Sequence, residues 1–101
     1  MASNQFDDIS EQMQLELMQV INDYDESILE VALTQKSLTQ AEENRTESGN
    51  RYEAGMETLG DYLEAQAFWQ KAQSDLVEAR SKQRISYTRY LKATGALKIN
   101  R

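Results

Sequence analysis

The chain has 101 residues, 28% of them charged, with a net charge of -6 and no proline, cysteine or histidine. A chain this short holds one domain at most, and the missing residue types exclude a disulfide framework, a thiol site and most nucleophile–base constellations. The acidic balance argues against nucleic acid as a partner, because backbone phosphates reward clustered Lys and Arg, and it gives no signal for an anionic membrane surface.

The first predicted element is a helix over about 7–52. Phe6, Ile9, Met13, Leu17, Val20, Tyr24, Ile28 and Val31 follow one another in steps of three and four, which places them on one side of a helix. A thinner row of Leu15, Met18, Leu29 and Leu33 lies elsewhere on the circumference, so neighbours are expected on two sides. Between Thr34 and Asn50 the apolar row thins to Leu38 and Ala41. No proline or glycine cluster interrupts that stretch, and we read it as the same helix with a wetter contact face rather than a disordered linker. Met1 to Ser3 stand outside this reading. The absence of proline and a mean hydropathy of -0.73 fit long helices better than a compact globule.

A reversal follows over 53–58. Gly55 suits the left-handed conformation that ends a helix, and Thr58 with Asp61 three residues on forms a capping box for the next one. The second helix is predicted over about 59–93. One row carries Tyr62, Ala65, Trp69, Ala72, Leu76, Ala79, Tyr87 and Tyr90. Another carries Leu59, Leu63, Ala67, Val77 and Ile85. Two rows imply two neighbours. A charged strip of Glu64, Lys71, Asp75, Glu78, Lys82 and Arg89 is expected to face water, with Lys71–Asp75 and Glu78–Lys82 as i,i+4 pairs. Gly95 is expected to stop the helix and leave 94–101 as a tail. The whole chain, 1–101, then reads as a single all-α hairpin of two long antiparallel helices forming a coiled coil.

The chemistry available is narrow. Without histidine or cysteine, an enzyme would depend on carboxylates, serine, lysine or tyrosine alone, and nothing clusters that way. Glu42, Glu43 and Glu47 lack the Glu-x-x-His partners of a di-metal bundle, so no metal and no cofactor is expected. Asn44-Arg45-Thr46 matches a glycosylation pattern but falls inside a predicted helix. No apolar run approaches the roughly 20 residues of a membrane-spanning helix, and the start does not resemble a signal peptide. A soluble fragment is the expectation.

Gly55, Thr58 and Asp61 are what any reversal between helices uses, but the longer string is more specific. It reads Tyr52-x-x-Gly55-x-x-Thr58-x-x-Asp61-x-Leu63-x-Ala65-Gln66, followed by Ala72, Leu76, Ala79, Tyr87 and Leu91 and then Thr94-Gly95-Ala96-Leu97. With Ala41-Glu42-Glu43-Asn44 and Arg51-Tyr52 upstream, it resembles the periplasmic helical hairpin of the TolC-like outer membrane efflux protein family over roughly Met13 to Leu97. The resemblance implies one hairpin excised from a trimer, in which two repeats of strands and hairpins build an outer membrane β-barrel continued by an α-barrel through the periplasm. The Leu91-x-x-Thr94-Gly95-x-Leu97 ending looks more like the second repeat.

What the resemblance implies for function is transport. The parent would be a passive export channel of a tripartite pump, with the hairpin tip (Gly55, Met56, Glu57 and Thr58) docking a periplasmic adaptor that links it to an inner membrane pump. Tyr52, Asp61 and Glu64 would match the channel entrance, where three copies of a carboxylate around a narrow mouth favour cations; for Asp61 a capping role is equally open. Glu57 stands where some members carry a basic residue. Stripes meant for barrel neighbours would leave an isolated hairpin self-associating. The alternative is a soluble coiled-coil tether or the hairpin of a periplasmic adaptor. An adaptor hairpin would be flanked by lipoyl-like β segments, absent here, and its tip lacks the Gly-x-x-Thr-x-x-Asp-x-Leu spacing.

Overall fold

The computed structural model describes residues 2–99, with side chains over 8–95. It is an antiparallel hairpin of α1 (Ala2–Glu53) and α2 (Leu59–Ile99), packed against each other, with no strand among the described residues. The rod measures 78 × 25 × 13 Å, and its radius of gyration is 22.5 Å, where a compact domain of this length would have about 13 Å. Among the described residues no helix is long and apolar enough to cross a membrane.

The contact seam follows a seven-residue repeat. On α1 the buried or half-buried positions include Leu17, Tyr24, Val31, Leu38 and Arg45 in one series and Val20, Ser27, Thr34, Ala41 and Ser48 in the other. On α2 they include Tyr62, Trp69, Leu76, Gln83 and Tyr90, and Ala65, Ala72, Ala79, Ser86 and Ala93. Such a repeat stays on the seam only if the helices wind round each other. Contacts across the seam keep one antiparallel register: Tyr52 stacks on Tyr62, Arg45 covers Trp69, Arg80 donates to Gln35, Lys82 pairs with Glu30 and Tyr24 stacks on Tyr90.

One of the two series on each helix is made of small residues, which lets the backbones approach. The buried apolar side chains among the described residues are Ala65, Ala72, Leu76 and Ala79, and the buried polar ones are Ser27 and Ser48. Their hydroxyls are satisfied: Ser27 donates to the Tyr24 carbonyl at 2.6 Å and Ser48 donates to Glu57. Thr34–Asn50 is helical as expected, and its wetter seam is this row of Thr34, Ala41 and Ser48.

Three expectations are corrected. Ile28 stands beside the seam, 43% exposed, because a seven-residue repeat selects Ser27 in its place; Tyr87, 44% exposed, flanks Ser86 at the seam's edge but still packs on Tyr24 of α1, with ring centroids 5.4 Å apart, as its place in the row led one to expect. Ile9 and Met13 are also exposed, while the side chains of Phe6, Ala96 and Leu97 lie outside the described residues. Helix α2 does not stop at Gly95 but runs to Ile99. A helical glycine costs only about 1 kcal/mol relative to alanine; Gly95 does not take a positive φ, and no proline follows to end the helix. Of the proposed tail, 94–99 is helix and 100–101 lie outside the described residues. Finally, Glu78 and Lys82 pair at 3.7 Å, whereas no Lys71–Asp75 ion pair forms among the described residues.

Candidate functional site

The tip is built by two backbone devices in succession. At the end of α1 the Gly55 N–H donates to the Tyr52 carbonyl at 3.0 Å and the Met56 N–H to the Arg51 carbonyl at 2.8 Å. These two bonds, with Gly55 at φ 76°, make a Schellman motif, which satisfies carbonyls that the helix end would leave unpaired. At the start of α2 the Thr58 Oγ1 accepts from the Asp61 N–H at 3.1 Å, and the Thr58 carbonyl accepts from the Tyr62 N–H at 3.2 Å. Thr58 is therefore the N-cap, but of the expected capping box only this half forms among the described residues: no bond returns from the Asp61 carboxylate to the Thr58 N–H, and Asp61 sits in the first turn, where the helix dipole favours a carboxylate.

Side chains then lock the reversal. Glu57 turns back toward α1: its carboxylate accepts from Ser48 Oγ, and Oε2 lies 3.7 Å from Arg51 Nε. The Glu57 side chain is 17% exposed, so of the four tip residues it is the one facing inward, while Met56 is 78% exposed. One turn further in, the Tyr52 and Tyr62 rings stack with centroids 5.5 Å apart and planes 8° apart. Gly49 makes room for this stack, since a Cβ there would stand 3.3 Å from Tyr62 Cε1.

The residues assigned to a channel entrance fall into two places. Tyr52 belongs to the tyrosine stack on the seam, whereas Asp61 and Glu64 are exposed on α2, three residues apart and so on one flank. Neither carboxylate forms an ion pair among the described residues. The tip thus offers a partner an exposed methionine, the exposed Thr58 and a carboxylate flank. Ser48 is 1% exposed, so its hydroxyl serves as an anchor and is out of reach of a substrate.

Glu42, Glu43 and Glu47 do not converge: Glu42 accepts from Trp69 Nε1 at 3.5 Å and Glu47 pairs with Arg51 at 3.8 Å. No group of three potential metal ligands occurs among the described residues. Sequence reasoning missed three contributors to the tip, namely Ser48, Gly49 and the inward role of Glu57. For Ser48 the signal was its place in the small-residue series Ser27, Thr34, Ala41, Ser48; for Gly49 it was a lone glycine in a helical pattern, which often marks close packing.

Comparisons with protein-family models, with curated proteins and with solved structures found no match to this chain.

Proposed function

We propose that this hairpin is a stave in the periplasmic α-barrel of a TolC-like outer membrane efflux channel, a conduit through which small molecules pass passively while an inner membrane pump supplies the energy. The observation that supports it most is the pairing of a rigidly built tip with outer faces that have no partner within the chain. Leu15, Met18, Leu29 and Leu33 on α1 and Leu63, Val77, Ile85 and Leu91 on α2 are all exposed. A free-standing tether gains nothing from such rows, while the wall of a barrel buries them against the next stave. In this reading Gly55, Met56 and Thr58 meet the periplasmic adaptor, and Glu57 holds the tip in shape from beneath. Asp61 and Glu64 give the mouth its negative charge, and the parent is a trimer.

The test is made in the full-length protein in cells. Gly55→Val and Thr58→Arg are expected to abolish adaptor cross-linking and raise drug susceptibility, with channel abundance in the outer membrane unchanged. Unaltered cross-linking and susceptibility in both variants would remove the tip from the docking site.

A further inference from the structure

Every tyrosine of the chain stands in an aromatic layer between the helices. The five are Tyr24, Tyr52, Tyr62, Tyr87 and Tyr90. At the tip Tyr52 of α1 stacks on Tyr62 of α2, with centroids 5.5 Å apart and planes 8° apart. Toward the open end Tyr24 of α1 meets both Tyr87 and Tyr90 of α2, each at 5.4 Å between centroids, with planes 38° and 28° apart. Phenylalanine is not used in this way: Phe68, the one whose side chain is described, is 57% exposed and belongs to neither layer.

Packing alone does not ask for phenols at these places. Among the described residues no tyrosine hydroxyl bonds to the protein, and no buried side-chain oxygen is left without a partner. The tyrosine hydroxyls therefore reach water. What the fold sets across the seam is electron-rich rings held face to face, each with a way out for its phenolic proton. The chain has no cysteine to intercept a one-electron oxidant.

We propose that these layers are modification sites, at which a one-electron oxidant joins α1 to α2 through a dityrosine bond and so locks the hairpin. Two equivalents of oxidant take one electron from each ring of a pair, and each phenolic proton leaves to water. The two tyrosyl radicals couple through a new bond between ring carbons ortho to oxygen. The hydrogen on each joined carbon then shifts to that ring's oxygen, which restores both phenols, so the pair loses two electrons and two protons in all. Radicals held as stacked neighbours meet without diffusing, and coupling is confined to the partners that the register provides: Tyr52 with Tyr62, and Tyr24 with Tyr90 or Tyr87. A link from Tyr24 to Tyr90 encloses most of the hairpin and removes more freedom from the unfolded chain than one from Tyr52 to Tyr62, which encloses only the reversal. Each pair lies within one chain, so the inference does not depend on the barrel-stave reading.

The test oxidises the full chain in dilute solution with photogenerated tris(bipyridyl)ruthenium(III) and maps the product by peptide mass spectrometry. Dityrosine fluorescence is expected with no gain in size on a denaturing gel. The linked peptides are expected to join Tyr52 to Tyr62 and Tyr24 to Tyr90 or Tyr87, in a yield at least about tenfold above that of the urea-unfolded chain. Tyr52→Phe is expected to remove the tip link and keep the open-end link, and Tyr24→Phe to do the reverse. Both variants keep a stacking ring, and circular dichroism checks that their helix content is unchanged. The linked chain is expected to unfold at a higher urea midpoint than the unlinked one. Links mainly between chains, links scattered over distant pairs such as Tyr52 with Tyr90, or an equal yield in urea overturn the proposal. So do oxidation that ends at Trp69 without any tyrosine link and a linked chain whose midpoint does not move.

Discussion

The Arg45 guanidinium lies 4.1 Å from the centroid of the Trp69 ring, one seven-residue step from the layer in which Tyr52 stacks on Tyr62. A cation at a seam position is held there by the face of an aromatic ring, and Trp69 in turn donates to Glu42 at 3.5 Å. Both partners are half-buried rather than enclosed, so the attraction is worth about 0.5–1 kcal/mol. A double-mutant cycle with Arg45→Met and Trp69→Leu, read by urea denaturation, is expected to give a coupling of that size. A coupling indistinguishable from zero would mean that the two residues meet only by packing.

The hairpin, its tip and most of the α2 seam were legible in the sequence because each rests on local rules. Gly55 supplies a positive φ, Thr58 caps α2, and Tyr62, Ala65, Trp69, Ala72, Leu76 and Ala79 repeat on one side of it. The α1 seam was harder to read. Its inner series is Ser27, Thr34, Ala41 and Ser48, so large apolar residues such as Ile28 drew attention to positions beside the seam. Small polar residues can occupy a seam when their hydroxyls bond locally, as Ser27 does to the Tyr24 carbonyl, and hydropathy alone does not register that. The inward turn of Glu57 depends on Ser48 and Arg51 across the bend, a relationship visible only once the helices are in register. The division of charge between the acidic stretch 7–30 and the basic stretch 80–98 was present in the sequence, and only the register showed that those stretches lie side by side.

The small-residue seam predicts a sharp asymmetry between alanines of α2. Ala79 is 1% exposed and leaves no room between the backbones, whereas Ala67 faces outward. Ala79→Leu is expected to cost about 1–3 kcal/mol through overpacking, lowering the melting temperature by roughly 4–8 °C for each kcal/mol. Ala67→Leu is expected to stay within about 0.5 kcal/mol of the native chain. Calorimetric scans at one protein concentration make the comparison, and equal shifts would show that the helices separate freely at Ala79.

Two glycines are expected to respond in opposite directions to the same substitution. Gly55 has open space around it but a φ of 76°, a conformation that costs an L-residue about 1–2 kcal/mol. Gly95 is helical, with nothing within 4 Å of an added Cβ, so alanine there gains up to about 1 kcal/mol of helix propensity. Gly55→Ala should lower the urea midpoint and Gly95→Ala should raise it, both with unchanged slope. A midpoint unmoved by Gly55→Ala would show that the reversal tolerates another backbone path.

The Ser48–Glu57–Arg51 cluster separates hydrogen bonding from charge. Arg51 is 47% exposed, so its pair with Glu57 is screened by water and is worth less than about 1 kcal/mol. The Ser48 hydroxyl is buried, and losing its acceptor would leave a buried donor unpaired, at about 1–3 kcal/mol. Glu57→Gln keeps an oxygen for Ser48 and gives up only the charge, while Glu57→Ala removes both. The alanine variant is therefore expected to be clearly the less stable of the two, with faster amide exchange across residues 54–62. In 1 M salt, where the Debye length falls to about 3 Å, Glu57→Gln is expected to approach the native stability while Glu57→Ala stays apart. Equal losses for both variants at low salt would assign the anchor to the ion pair instead of the serine.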